Sequence, residues 1–448
     1  MNNNESNQFK KMTEEPVEKL LVSLSIPTIC SMLVTTLYNI VDTAFVGTLG
    51  TSQSAATGVV NGYMTILQAI AFMCGQGAGS IMSRQLGKKE QEDANETAST
   101  GFFMSFSLGL IIAIVSFIFM RPLLKTLGST ETIAPYARTY ITYILLSAPF
   151  FTSSFTLNNL LRYEGKAKLG TVAMVTGAVL NVGFDALLIC VFKLGIAGAG
   201  IATAIGQTIS FAILISMYLR EKTVIKMAFS NISRSIKTYF EIVATGFPSL
   251  MRQGLNSVAT MMLNRYAGVY GDSAVAAMSI VSRLSFFPMA VAIGIGQGFQ
   301  PISGYNFGAG KKNRVREAFF KALIGAEIAL LLFSIPMFIM APSLVGMLRD
   351  DVEVIEIGTR ALRLMGIGGM GIPLTMMIEM GFQSSGQKAL ATFGSSLRSG
   401  LVFIPMLVIL SKIRGLAGVQ EAQPVAFALT FGICLYLLKI YLNKLKDV

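Results

Sequence analysis

Long apolar stretches recur along the whole chain and are separated by short polar loops. Each stretch has about twenty residues or more, which is the length that an α-helix needs to cross a bilayer. The pattern predicts twelve spans, at residues 20–46, 54–82, 98–120, 133–160, 168–192, 197–218, 240–266, 274–303, 317–341, 354–381, 389–411 and 422–442. We therefore expect an all-α integral membrane protein.

The sequence also repeats itself at a constant distance of 221 residues. With this shift Pro27 falls on Pro248 and Gln76 falls on Gln297, and the match continues without a gap over most of each half. Each copy holds six spans, an even number, so both copies cross the membrane in the same direction. We expect two six-helix lobes related by a pseudo-two-fold axis along the membrane normal, which is a transporter architecture.

The repeat predicts a division of the chain into two lobes, a linker between them and two short tails. These parts are an N-terminal tail at 1–19, an N-terminal lobe at 20–219, a linker at 220–239, a C-terminal lobe at 240–442 and a C-terminal tail at 443–448.

Composition and charge support a membrane protein over a soluble one. The chain is 53% hydrophobic and 13% charged, and its net charge of +12 lies mainly in short loops. The loops on the side of the two termini are richer in lysine and arginine than the opposite loops, which predicts that both termini lie in the cytoplasm. We expect the protein to lie in the plasma membrane. This placement favours a multi-pass protein in contact with lipid over a nucleic-acid-binding protein.

Residue types exclude several kinds of chemistry. The chain has no histidine, and its four cysteines lie in apolar runs without the spacing of metal ligands. There is no phosphate-binding loop after a strand, and no nucleophile with a neighbouring base. We therefore expect no enzyme activity, no bound metal cofactor and no other cofactor.

Two aspartates interrupt the predicted spans, Asp42 in the first and Asp185 in the fifth. An acid inside a spanning helix costs about 2.5–3.5 kcal/mol on insertion scales, so it is expected to face a protein interior or a water-filled cavity. Both acids should lie in the outer half of the membrane. Matched depth favours one shared site, while a structural hydrogen-bonding role for each acid is the alternative.

Four further polar residues reach the same depth. Tyr38 and Asn181 each lie one helical turn from one of the acids, and Tyr140 and Thr203 are placed similarly on spans that run in the opposite direction. Carboxylate, amide and hydroxyl oxygens are the ligands that hard cations such as Na⁺ prefer. Two close carboxylates in a low dielectric can instead share a proton. The pattern predicts a site for Na⁺ or H⁺.

Charged residues in the second half are weaker candidates. Glu379, near the end of the tenth span, occupies the position that the 221-residue shift pairs with Asn158, and snorkelling or loop capping is its alternative role. Arg252 and Arg398 lie in the seventh and eleventh spans, where pairing with an acid is the alternative to a role on the transport route.

Residues 37–47, LYNIVDTAFVG, resemble the first-helix motif of the multidrug and toxic compound extrusion (MATE) transporters, most closely the prokaryotic DinF-type branch. The resemblance implies a V-shaped, monomeric antiporter that exports amphipathic, often cationic, small molecules by alternating access, with H⁺ or Na⁺ as the coupling ion. It also implies a cation site in the N-terminal lobe, formed by Asp42, Asn181, Asp185 and Thr203 with Tyr38, Tyr140 and Asn158 around it.

Two alternatives remain at this point. A flippase for lipid-linked precursors belongs to the same superfamily, but such proteins tend to have more spans and a basic cavity. An intramembrane enzyme is the alternative from a different class, and the absence of histidine and of a nucleophile–base pair argues against it.

Overall fold

The structure is a computed structural model that describes residues 3–220 and 222–446. Within these ranges the regular elements are helices, and the predicted all-α class is confirmed. The ends of both predicted tails and one position of the predicted linker lie outside the described residues.

The described residues of the first half of the chain form eight α-helices and one π-helical turn. The helices are α1 (Asn3–Glu14), α2 (Val17–Gly47), α3 (Thr51–Gly87), α4 (Gln91–Ile118), α5 (Met120–Thr126), α6 (Ala134–Tyr163), α7 (Ala167–Asp185) and α8 (Gly195–Leu219). The π turn, Ala186–Val191, continues α7 without a break. A short 3-10 turn at Phe229–Asn231 lies in the predicted linker.

Up to residue 446, where the description ends, the second half has nine α-helices, one 3-10 turn and one π turn. The helices are α9 (Ile236–Gly268), α10 (Asp272–Gly308), α11 (Lys312–Ile339), α12 (Ala341–Leu348), α13 (Val352–Gly368), α14 (Ile372–Ser384), α15 (Lys388–Ser396), α16 (Phe403–Arg414) and α17 (Leu416–Lys444). The 3-10 turn, Gly369–Gly371, joins α13 to α14, and the π turn, Leu397–Leu401, joins α15 to α16.

Each of the twelve predicted spans coincides with one long helical segment. Eleven of the segments in the described ranges are apolar and long enough to cross a membrane. The twelfth, α9, is long enough but less apolar, because it carries Glu241, Arg252 and Arg265. The chain is therefore a multi-pass membrane protein. Backbone groups in lipid must be hydrogen-bonded within the segment, which is why the spans are helices.

The 221-residue repeat is also visible in the backbone conformation of the loops. Gly50 and Gly271 both have positive φ, of 131° and 102°, and Gly165 and Gly386 have φ of 88° and 81°. A positive φ favours glycine because a Cβ atom would be strained there. The same turns therefore end the same helices in both halves of the chain.

Two compact units divide the chain at bounds that differ from the predicted lobes. One unit holds Met1–Met12 and Cys30–Gly246, and the other holds Thr13–Ile29 and Phe247–Val448. The early turns of α2 thus belong to the second unit, and the early turns of α9 belong to the first. The two changes fall next to Pro27 and Pro248, prolines that lie inside helices and favour a bend there.

Close helix contacts explain this division. In the second unit, a Cβ atom at Gly298 would lie 2.3 Å from the hydroxyl oxygen of Ser25. In the first unit, a Cβ atom at Gly246 would lie 1.8 Å from the carbonyl oxygen of Met73. Glycine at these positions lets two backbones approach to a distance that any side chain would prevent.

The predicted linker is held against the first unit by Glu164. This buried side chain accepts a hydrogen bond from the backbone amide of Val224 and forms an ion pair with Lys166 at 3.1 Å. Burial raises the pKa of Glu164, and the nearby Lys166 ammonium opposes that rise. The carbonyl oxygen of Glu164 also accepts a hydrogen bond from Gln8 at 2.7 Å, which ties α1 to the same point.

A valine at Gly77 should destabilise the first unit. Its Cβ atom would lie 2.2 Å from the carbonyl oxygen of Ile242, so α3 and α9 would have to separate. Overpacking of this kind typically costs about 1–3 kcal/mol. Thermal unfolding of the purified protein in detergent should show a lower midpoint for Gly77→Val. The matched control is Gly62→Val, because nothing lies within 4 Å of a Cβ atom at Gly62; equal midpoints for the two variants would contradict the packing argument.

Candidate functional site

Asp42 and Asp185 come together inside the first unit, although 143 residues separate them in sequence. Asp42 lies in the second half of α2, and Asp185 is the last residue of α7, directly before the π turn. Their side chains are 6% and 0% exposed. The two carboxyl groups interact directly with each other. The structure thus places both acids in one buried position.

Four helices, α2, α6, α7 and α8, bring oxygen-bearing side chains to this acid pair. Tyr38, on α2, and Tyr140, on α6, both lie within electrostatic range of the two carboxyl groups. The Tyr140 hydroxyl interacts with the hydroxyl of Thr203, on α8. The side-chain nitrogen of Asn181 donates a hydrogen bond to that same hydroxyl at 3.5 Å. Six of the seven residues predicted for the cation site are therefore neighbours in the structure.

Hydrogen-bond acceptors outnumber donors at this position. Four buried oxygens have no hydrogen-bond partner among the described residues: Oδ1 of Asp42, Oδ1 of Asn181, and Oδ1 and Oδ2 of Asp185. Buried acceptors are normally paired with a donor. An excess of acceptors suits a bound cation or an added proton, because either one provides the missing positive partner.

Close packing of α7 against α8 holds Asn181 next to Thr203. A Cβ atom at Gly206 would lie 3.0 Å from the Cβ atom of Asn181, and one at Gly177 would lie 1.8 Å from the hydroxyl of Ser210. Sequence reasoning missed these positioning glycines. The signal was present as a row of small residues in α8, GIAGAGIATAIG, which is typical of close helix packing in membranes.

Asn158 lies apart from the other predicted site residues. Its side-chain oxygen sits over Gly170, where a Cβ atom would be only 2.1 Å away. Gly170 precedes Asp185 by fifteen residues on α7, which corresponds to about 22 Å along the helix. The structure therefore does not bring Asn158 to the acid pair.

Glu379 and Arg252 form a separate cluster in the second unit. Both side chains are buried, and the Nη1 atom of Arg252 donates to Oε1 of Glu379 at 2.6 Å. The structure does not show the alternative roles of Glu379, snorkelling and loop capping, because its carboxylate is paired inside the protein. The pairing anticipated for Arg252 is present.

The oxygen ligands available around Asp42 and Asp185 determine which cations could bind there. In the described part of the chain there is no group of three or more histidine, cysteine or acidic side chains that would hold a transition metal. Two carboxylates with amide and hydroxyl oxygens instead match a hard, weakly held ion such as Na⁺, or a proton shared by the acids.

Comparison with known proteins identifies the family. A family model named MatE matches residues 27–187 and again residues 248–409. The two matches begin 221 residues apart, which is the repeat distance read from the sequence, and together they cover most of the chain. The chain belongs to the MatE family.

Relatives of this MatE member span nearly its whole length. It is 26% identical over 440 residues to the multidrug export protein MepA of Staphylococcus saprophyticus and 27% identical to MepA of Staphylococcus aureus, with 96% of each chain covered. A solved structure of a multidrug resistance MATE family transporter in an outward-facing conformation superimposes with a TM-score of 0.92 at 23% identity, covering 98% of each chain. The structural likeness establishes the fold.

Family membership also decides between transporter and enzyme. MatE proteins are transporters, so this MatE member is a membrane transporter and not an enzyme. The resemblance seen at residues 37–47 of the sequence is thus confirmed over both halves of the chain.

A cation that occupies the acid pair should stabilise this MatE member against heat. Binding to the folded state alone at about 100 times the dissociation constant raises the free energy of unfolding by about 2.7 kcal/mol. We expect added Na⁺ or mild acidification to raise the unfolding midpoint of the purified protein in detergent. The double variant Asp42→Asn/Asp185→Asn should lose this response.

Asp93→Asn provides the control, because Asp93 is an exposed acid in the first turn of α4, remote from the buried pair. Equal stabilisation of the double variant and the natural protein would show that the cation acts elsewhere.

Proposed function

We propose that this protein is a secondary antiporter that couples inward movement of H⁺ or Na⁺ to export of amphipathic, often cationic, small molecules across the plasma membrane. Cation binding at Asp42 and Asp185, with Asn181 and Thr203, drives alternating access. The protein works as a monomer with both termini in the cytoplasm and needs no cofactor.

The observation that carries this proposal is the excess of buried acceptors at the acid pair. The unpartnered oxygens of Asp42, Asn181 and Asp185 lie inside a membrane helix bundle, where an uncompensated charge is costly. A transporter that moves H⁺ or Na⁺ needs a group that is stable only with its ion bound, and these oxygens meet that need. The staphylococcal relatives are multidrug export proteins by name, which supports a drug-like substrate.

Coupling requires that cation and substrate favour different conformations. An ion shifts a conformational equilibrium only by its difference in affinity between the two states. Loss of the ion leaves Asp42 and Asp185 as two facing carboxylates, which repel each other in a low dielectric. We expect α2 to respond, because Asp42 and Pro27 lie on this one helix.

The orientation in the membrane follows from loop charge. Lysine and arginine are concentrated in the loops after the even-numbered spans, including Arg84, Lys166 and Lys311. The positive-inside rule assigns these loops and both termini to the cytoplasm. A protein with this orientation in the plasma membrane would take substrate from the inner side and release it outside.

The first experiment is ethidium transport in proteoliposomes under an imposed pH gradient or an imposed Na⁺ gradient, each applied alone. We expect ethidium to move against its own gradient under one of the two conditions, which names the coupling ion. Fluorescence of ethidium bound to trapped DNA reports the movement. Transport under neither gradient would contradict cation-coupled export and would favour the flippase alternative, tested with a fluorescent lipid.

Asp42→Asn should reduce ethidium transport to the level of protein-free liposomes while leaving the amount of folded protein unchanged. The substitution keeps the size of the side chain and removes the charge on which coupling depends. Efflux assays in cells, normalised to the protein in the membrane fraction, measure the effect. Asp93→Asn is again the control, and unchanged efflux by Asp42→Asn would exclude a coupling role for Asp42.

A further inference from the structure

A groove of about 440 Å³ lies between the tenth and twelfth spans of the second unit. It runs along the 3-10 turn Gly369–Gly371, which joins α13 to α14, and along α17. Its walls are apolar, and two of the side chains that form them, Ile367 and Met370, are 58% and 47% exposed. Apolar side chains that are exposed on a membrane span contact lipid hydrocarbon. The groove is therefore open to the bilayer.

Glycines form the floor of this lipid-facing groove. A Cβ atom at Gly368 would lie 2.6 Å from the Cα atom of Pro424, and one at Gly371 would lie 2.9 Å from the Cβ atom of Phe431. The tenth span thus meets α17 through its own backbone. Because glycine leaves this part of the surface recessed, the groove has room for a flexible apolar chain.

A larger, charged pocket continues the groove towards the first turns of α13. Its volume is about 880 Å³, and Leu364 and Ile367 line both spaces. Arg360, Arg363 and Glu356 also line the pocket. Two guanidinium groups and one carboxylate leave one excess positive charge, which a single phosphodiester group would neutralise. Basic pockets beside membrane spans bind the phosphate headgroups of lipids.

Arg363 has no acidic partner among the described residues. Its side chain is exposed, its Nε atom donates to the carbonyl oxygen of Phe338 at 3.3 Å, and its guanidinium lies 5.6 Å from the centre of the Phe338 ring. Glu421 instead pairs with Arg360 and with Arg414, so including Glu421 and Arg414 leaves the excess charge unchanged. Contact with the ring holds the guanidinium in place. The Nη1 and Nη2 atoms of Arg363 remain available for a phosphate, which arginine binds through two parallel hydrogen bonds.

The position of Arg363 matches the level of lipid headgroups. Charge in the hydrocarbon core is costly, so an exposed arginine on a span lies at the membrane surface. Arg363 and Gly371 are eight residues apart, which is about 12 Å along the helix. One leaflet of the hydrocarbon core is about 15 Å thick. The groove therefore runs from the headgroup level through most of the depth of one leaflet, as an acyl chain does.

We propose that the lipid-facing groove and its charged pocket bind one phospholipid. Arg363, together with Arg360, binds the phosphodiester, and one acyl chain lies in the groove over Gly368 and Gly371. Glu356 accepts a hydrogen bond from the headgroup, which favours a headgroup with donors, such as the terminal glycerol of phosphatidylglycerol. This lipid is a bound partner of the protein and is not the exported molecule.

Native mass spectrometry of the purified, full-length protein in detergent tests this proposal, because each bound lipid adds its own mass. The matched ligands are dioleoyl phosphatidylglycerol and dioleoylglycerol, which share their acyl chains and differ in the phosphate headgroup. For the first lipid bound, we expect Arg363→Gln to weaken phosphatidylglycerol by about tenfold or more and dioleoylglycerol by less than about twofold, since only the former loses a hydrogen bond between charged groups. Arg363→Lys should retain part of the affinity because it keeps the charge.

A second variant tests the groove independently of the charge. Ala428→Trp places a large side chain in the groove from α17, where Ala428 is exposed, and should weaken both lipids. Arg349→Gln is the control, because Arg349 is an exposed arginine between α12 and α13 that lines neither space.

Three results would overturn the proposal. The first is equal affinity of the natural protein and Arg363→Gln for phosphatidylglycerol. The second is equal weakening of both lipids by Arg363→Gln, because the phosphate would then have no role. The third is unchanged lipid binding by Ala428→Trp, because the acyl chain would then lie elsewhere.

Two other occupants of the groove give different results. Glycerol 3-phosphate is a soluble phosphate without acyl chains; if it binds as tightly as the lipid, the groove has no role and the proposal is overturned. A second copy of the chain would appear as a dimer that Ala428→Trp abolishes, which would also overturn it. The assay uses neither an ion gradient nor an exported dye, so its result is independent of the proposed export function.

Discussion

The free-energy cost of burying charge inside a membrane protein is the main constraint on the arrangement around Asp42 and Asp185. Asp42 and Asp185 face each other with oxygens that no described donor satisfies, and the low dielectric of the interior magnifies their repulsion. A positive partner, either a proton or a cation, would offset this repulsion. The remaining features of the first unit, from tyrosine hydroxyls to close helix contacts, hold these two carboxyl groups together in spite of that cost.

Small residues at helix contacts set the distances between the helices that carry the site. Van der Waals contact drives helix association in lipid, so the approach of two backbones depends on glycine at the contact. Gly177 and Gly206 bring α7 and α8 close enough for Asn181 to reach Thr203. In both units the chain also uses glycine where a turn requires positive φ, as at Gly165 and Gly386. Glycines, which have no side chain, therefore fix the positions of the polar side chains at the site.

The two halves of the repeat share a scaffold but differ in their buried charge. The first unit gathers acids, and the second pairs Glu379 with Arg252 and leaves Arg398 with an unpartnered donor. Divergence of this kind is expected after a duplication, because helix length, turn geometry and glycine contacts maintain the fold while interior polar residues are free to specialise.

The sequence by itself determined the all-helical membrane class, the number of spans, the 221-residue repeat, the two acids and the four polar residues now found around them. These features depend on hydrophobic length, on period and on depth along a helix, all of which are local properties of the chain. Only the tertiary structure decided what each polar group faces. It separated Asn158 from the acids, buried Glu379 against Arg252, and assigned the early turns of α2 to the second unit. The depth of a residue in the membrane can be predicted from its position along a span. The rotation of each helix about its axis and the helices that it contacts depend on packing between distant segments.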